Sequence, residues 1–226
     1  MAPSDLTSYA LVLDLDSTLI DSAPWPPGSE RDGDPTPTWV MAPQPAHRDT
    51  VPEAVWVRPG ALAFLAAAHA EFGLLCVWTA SPKWRALPIL NLLFDAAKTR
   101  LPPPHLLRFL CHTTVLCDRG GTTVHKRLHK LWRRGAWRRA GFTRHTTLLL
   151  DDSPDVAAHN WGNLVPIDRY DAFAAARDRD RDKDRDRDDD ALARALTAFR
   201  RHLGATGASV RTMAMHTWAR RSVSPK

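Results

Sequence analysis

The chain has 226 residues, 44% of them hydrophobic and 25% charged, with a formal net charge of +6. That is the size of one substantial α/β domain with flexible pieces, able to bury a real core, and no stretch approaches the roughly 18 consecutive apolar residues of a membrane span. Cys76, Cys111 and Cys117 are too few for a disulfide framework and lack zinc-site spacing, and Met1 to Asp5 lacks a signal-peptide layout, so the chain reads as soluble and intracellular, in nucleus or cytoplasm.

Tyr9 to Leu13 is a short apolar run suited to a buried strand, and it stops at Asp14-Leu15-Asp16. From 22 to 57 prolines recur, among them Pro24, Pro35, Pro37, Pro43 and Pro52, which excludes a long helix or a central strand. This segment is expected to be an excursion with at most a short edge hairpin. Val55 to Val57 is extended, and Pro59-Gly60 opens a helix with Leu62, Phe64, Leu65, Ala68 and Phe72 on one stripe, closed by Gly73. Leu74 to Trp78 is a second strand ending at Thr79-Ala80-Ser81, after which Pro82 starts a helix carrying Leu87, Ile89, Leu90, Leu93 and Phe94.

Pro102-Pro103-Pro104 interrupts the chain; His105 to Leu110 reads as a short helix and Thr113 to Leu116 as a short strand. His125 to Arg139 spaces Leu128, Leu131 and Trp132 as a helix under a basic surface, and residues 119 to 145 carry nine Lys or Arg and no acid. Thr146 to Leu150 is a strand running into Asp151-Asp152-Ser153-Pro154, and Leu164 to Ile167 is the last core strand. Arg177 to Asp190 alternates base and acid with no apolar face, which predicts a solvated insertion. Ala191 to Leu203 resumes a helical pattern. The chain thus divides into one domain over 1–204, containing the excursion 22–57 and the insertion 177–190, and a loose basic tail over 205–226.

Alternating strands and helices predict a Rossmann-like three-layer sandwich with a mostly parallel central sheet, whose ligands bind beyond the carboxyl ends of the strands. Asp14 and Asp16, Thr79 and Ser81, and Asp151 and Asp152 all fall at such ends. Phosphoryl transfer needs a nucleophile, a proton donor, donors for the equatorial oxygens and a metal that offsets clustered charge, and this set offers a candidate for each. Carboxylate ligands favour Mg2+ over softer metals.

Asp14-Leu15-Asp16-Ser17-Thr18 resembles the DxDxT signature of haloacid dehalogenase superfamily phosphatases. Arg58-Pro59-Gly60, Thr79-Ala80-Ser81 and Asp151-Asp152-Ser153-Pro154 resemble elements of its NLI-interacting-factor-like branch, which includes the RNA polymerase II C-terminal-domain phosphatases. The resemblance implies Asp14 as nucleophile, Asp16 as general acid/base and Thr79 as the hydroxyl on a phosphoryl oxygen. It further implies Mg2+ held by Asp14, the main chain of Asp16, and Asp152, with Asp151 as an outer or water-mediated contact and Thr18 bracing the loop. The branch's lysine falls at Lys126, with Lys130 as the alternative. Ser17 and Ile20-Asp21-Ser22 depart from the branch pattern, which leaves the substrate open.

The excursion is too short for a large cap domain, which implies an open cleft for a phosphoprotein. Trp25 and Trp39 either form an aromatic surface for a Pro-containing phosphopeptide or pack the excursion onto the domain. Three functions stay open: a protein serine/threonine phosphatase, a phosphatase of small molecules or nucleic-acid ends, and a non-catalytic scaffold with the same fold. Neither a membrane nor nucleic acid is expected as the main partner.

Overall fold

In the computed structural model the described residues are 6–25, 28, 34–43, 51–109, 113–116, 122–157, 159–181, 189–204 and 208–213. The first strand, β1 (Ala10–Leu13), is followed by β2 (Ile20–Pro24), β3 (Trp39–Met41) and β4 (Glu53–Val57), then α1 (Ala61–Glu71), β5 (Leu74–Thr79) and α2 (Lys83–Ala96). Strand β6 (Leu107–Phe109), the pair β7 (Thr113–Leu116) and β8 (Thr122–His125), and the short helices α3 (His129–Trp132) and α4 (Gly135–Arg139) lead to β9 (Thr147–Asp151) and β10 (Leu164–Pro166). Helices α5 (Ala172–Arg181), α6 (Ala191–Phe199) and α7 (Val210–Met213) complete the described chain.

The central sheet has the order β10-β9-β1-β5-β6, and every pairing in it is parallel. Side chains of a strand alternate between faces, and the sequence uses both. Leu11, Leu13, Leu75, Val77, Leu148 and Leu150 join one core with α1, α2 and α6. Val12, Cys76, Trp78 and Leu149 join a second with Leu128, Leu131, Trp137 and Phe142. The result is the three-layer α/β sandwich that the strand–helix alternation predicts, and it lacks a large cap among the described residues. No described helix is long and apolar enough to cross a membrane.

Several elements differ from the sequence expectation. The excursion is more ordered than a hairpin: β2, β4 and β3 form an antiparallel sheet in that order. Its prolines permit this because Pro24 closes β2, while Pro35, Pro37, Pro43 and Pro52 lie outside the strands. The helix predicted over 105–110 is a 3₁₀ turn at Pro104–Leu106 followed by β6, which extends the central sheet beside β5. The helix predicted over 125–139 is broken. His125 ends β8, Lys126 stands in a loop, and Gly135, the weakest helix former of the run, begins the second short helix.

Gly73 does not close α1 in a left-handed conformation. Its role is close approach: a Cβ there would fall 1.8 Å from the carbonyl oxygen of Thr7. The charged run is not wholly solvated either. Residues 182–188 lie outside the described ones, but Asp189 at its end holds Arg58 through two hydrogen bonds of 2.6 and 3.1 Å. Part of the predicted loose tail is also packed. Val210 is buried, its N–H bonds to the His145 carbonyl at 2.9 Å, and the Tyr9 hydroxyl donates to Ala208 O at 2.8 Å. Cys111 and Cys117 lie outside the described residues.

Candidate active site

Parallel strands deliver their carboxyl ends to one edge of the sheet, and three neighbouring strands converge there. The last ladder bond of β1 runs from Asp14 N–H to Leu150 O at 3.0 Å, β9 ends at Asp151 and β5 at Thr79. These ends line an open pocket with Asp14, Asp16, Lys126, Asp151, Asp152 and Arg169 around it.

Asp14 is buried and doubly held: its Oδ1 accepts from the Lys126 ammonium and its Oδ2 from the Thr18 hydroxyl at 3.2 Å. Lys126, itself 2% exposed, also donates to Asp151 at 2.6 Å. Its backbone N–H bonds to Val156 O at 2.8 Å, which fixes the loop in front of α3 against the segment that follows Asp152. Lys130 is exposed on α3. Of the two lysines left open by the sequence, Lys126 is therefore the one at the strand ends.

Carboxylate oxygens of Asp14, Asp151 and Asp152 lie within 4.8 Å of one another. Among the described residues three carboxylates gather here around the ammonium of Lys126, with the Arg169 charge acting on Asp152 as well, which leaves a surplus of acidic groups. Burial pushes the Asp14 carboxyl up to about 7; Lys126 opposes that rise and Asp151 adds to it. Burial works against the charge of Lys126, but Asp14 and Asp151 more than offset it and hold the ammonium above its usual range. Burial and the Asp151 charge likewise raise Asp152. A donor set made only of oxygens, with surplus negative charge, fits a hard divalent cation such as Mg2+. A carboxylate oxygen of Asp151 lies in the same cluster as those of Asp14 and Asp152, and Asp151 also accepts from Ser153 N–H at 2.9 Å.

The carboxylate of Asp16 belongs to a second group. It accepts from the Ser81 hydroxyl at 2.6 Å, the Thr79 hydroxyl at 3.3 Å and Arg85 at 2.8 Å. Arg85, on the first turn of α2, also reaches Glu53 of β4 at 2.8 Å, and the hydroxyls of Ser22 and Ser81, each at 2.5 Å. Sequence reasoning missed Arg85. Its spacing of four from Ser81 is a helical neighbour signal, but its other partners sit on the antiparallel sheet, which the proline content concealed.

The loop after β1 is braced from below. Ser17 takes φ +60°, a left-handed conformation unusual for a residue with a Cβ, and its carbonyl accepts from Tyr170 N–H at 2.8 Å. Arg58, with a side chain only 1% exposed, donates to Thr18 O at 3.2 Å while gripping Asp189. Trp25 is buried edge-on against Trp56, with ring centroids 5.5 Å apart, and Trp39 is partly buried against the main core. Trp25 thus packs the excursion onto the domain, while Trp39 is only partly covered. Burial pushes the Cys76 thiol up to about 12, so it is no nucleophile.

The family described as NLI interacting factor-like phosphatase matches residues 9–210. No curated protein matches the chain. Among solved structures it is similar to the RNA polymerase II CTD phosphatase Fcp1, with 17% identity and a TM-score of 0.47, covering 91% of this chain and 56% of that one. A fission yeast Fcp1 variant bound to beryllium fluoride gives the same identity and TM-score over 87% of this chain, and again 56% of the other. The chain thus spans little more than half the length of these structures.

Proposed function

The chain belongs to the NLI interacting factor-like phosphatase family, and from that premise we propose that it removes phosphate from phosphoserine or phosphothreonine of a protein, with Mg2+ and through an aspartyl-phosphate on Asp14. The observation that carries this reading is the buried Asp14 carboxylate at the end of the central strand, held by Lys126 and Thr18 and clustered with Asp151 and Asp152.

In the proposed reaction an Asp14 oxygen attacks phosphorus, the bond from phosphorus to the seryl or threonyl oxygen breaks, and Asp16 gives that oxygen a proton. Water then attacks phosphorus, Asp16 takes back the water's proton, and the bond to Asp14 breaks to release phosphate. Lys126 offsets charge on Asp14 and on the incoming phosphate, and the hydroxyl of Thr79 turns from Asp16 to a phosphoryl oxygen. Ser81 and Arg85 keep the Asp16 carboxylate in one orientation, so that its proton is delivered from a fixed direction. Asp14, Asp152 and the main chain of Asp16 would hold Mg2+, with Asp151 next to them. The bound ion supplies neutralisation of the clustered carboxylates and of the phosphate oxygens.

The open pocket, without a large cap among the described residues, supports a macromolecular substrate over a small one. Hydrolysis of p-nitrophenyl phosphate with and without chelator, by wild type and by Asp14→Asn, followed by phosphopeptides, sugar phosphates, nucleotides and phosphorylated DNA ends, tests the reading. Mg2+-dependent turnover lost in Asp14→Asn, with preference for phosphopeptides, is the expected result. A folded wild type inactive across metals and pH contradicts catalysis and leaves a binding protein. Preference for the small phosphates contradicts the protein substrate.

A further inference from the structure

Among the described residues the cations around the pocket divide into those held in hydrogen bonds and ion pairs and one that is not. Lys126 is shared by Asp14 and Asp151, and Arg85 is spread over Asp16, Glu53, Ser22 and Ser81. Arg58 lies below the loop on Asp189. Arg169 lines the same pocket, is exposed, and makes no hydrogen bond or ion pair among the described residues, although its charge reaches Asp152 and opposes the rise of that carboxyl. Its neighbour Asp168 leans away toward Arg194, at 3.8 Å.

The position of Arg169 is nevertheless fixed. It follows β10, and the backbone on either side of it is tied to both acidic loops: Ile167 N–H bonds to Asp151 O at 3.1 Å, and Tyr170 N–H bonds to Ser17 O at 2.8 Å. An exposed guanidinium on a fixed stretch of backbone, close enough to act on Asp152 but outside the buried Asp14–Lys126 pair, is placed for a part of the substrate beside the transferred phosphate. Its planar fork matches a carboxylate.

Resting on the phosphatase reading above, we propose that Arg169 is a specificity residue that binds the carboxylate of an acidic residue flanking the phosphorylated one, so that the preferred substrate is an acidic phosphopeptide. The inner cations serve the transferred phosphate, and Arg169 reads the charge beside it.

Steady-state kinetics with Mg2+ test this on three substrates: a phosphoserine peptide with Asp on both sides of the phosphoserine, the same peptide with Asn in both places, and p-nitrophenyl phosphate. Wild type is expected to favour the Asp peptide in kcat/KM, and Arg169→Gln to lose about tenfold on that peptide alone, the scale of one charge-assisted contact. Added salt should narrow the wild-type preference. An equal loss on all three substrates would place Arg169 on the transferred phosphate and overturn the proposal, as would no loss on any. Wild-type turnover of p-nitrophenyl phosphate without discrimination between the peptides sinks the role of Arg169 alone; absence of that turnover sinks the phosphatase reading with it.

Discussion

Replacing Asp189 by Ala removes the carboxylate that meets two of the donors of Arg58, at 2.6 and 3.1 Å. Among the described residues the guanidinium then keeps Thr18 O at 3.2 Å and the ring of Tyr170, 5.7 Å from its centroid. Breaking a buried ion pair from one side costs about 3–5 kcal/mol, because the remaining charge is left in a poor dielectric. Arg58 is 1% exposed but Asp189 is 22% exposed, so water reaches that side of the pair and the lower end applies, about 3 kcal/mol. For a domain of this size that lowers Tm by roughly 6–12 °C. Urea unfolding and thermal melts measure it. Asp189→Asn, which keeps one acceptor, should lose less, and the double variant Arg58→Met/Asp189→Ala should be more stable than Asp189→Ala alone, since no unpaired cation remains. Because Arg58 anchors the carbonyl of Thr18, whose hydroxyl bonds Asp14, Asp189→Ala should also reduce kcat with little change in KM. A change in stability below about 0.5 kcal/mol refutes the reasoning, because such a value belongs to an exposed pair.

Lys126→Met removes the cation shared by two buried carboxylates; turnover should fall at least about 100-fold, and metal-free stability should fall more near pH 8 than near pH 5, where protonation of Asp14 relieves the repulsion. Arg85→Gln should lower turnover about tenfold on a phosphoserine peptide and less on p-nitrophenyl phosphate, whose leaving group needs little proton, because Arg85 orients Asp16. In chelator the Asp14 carboxyl, raised by burial to about 7, contributes stability that is fully present below the unfolded carboxylate value of about 4 and is lost as pH rises through about 7. Thermal melts from about pH 5 to pH 8 should therefore fall with rising pH, and Asp14→Asn should flatten that slope.

The central strands were legible because β1, β5 and β9 are short apolar runs buried on both faces, each ending abruptly in the polar groups of the site. Asp14, Asp16, Thr79, Asp151 and Asp152 follow from those ends alone, and Lys126 needed the family resemblance. The antiparallel sheet was hidden because β2 carries Ser22 and Pro24 and has no apolar alternation, its pairing being set by β4. Arg85 was lost with it, since Glu53 and Ser22 give it its place. Arg58 showed as part of a motif, but its partner Asp189 sits 131 residues away in a repetitive charged run, where no local pattern singles out one Asp from the next. The break between α3 and α4 was hidden because the spacing of Leu128, Leu131 and Trp132 continues through Gly135 as one amphipathic pattern.

Borohydride trapping during turnover tests the central claim most directly, since it reduces an acyl phosphate to the alcohol and peptide mass spectrometry locates the change. With Mg2+ and p-nitrophenyl phosphate the modification should appear at position 14 in wild type, and be absent in Asp14→Asn and in chelator. Continued turnover with the modification at Asp16, or at no carboxylate, would contradict Asp14 as the nucleophile.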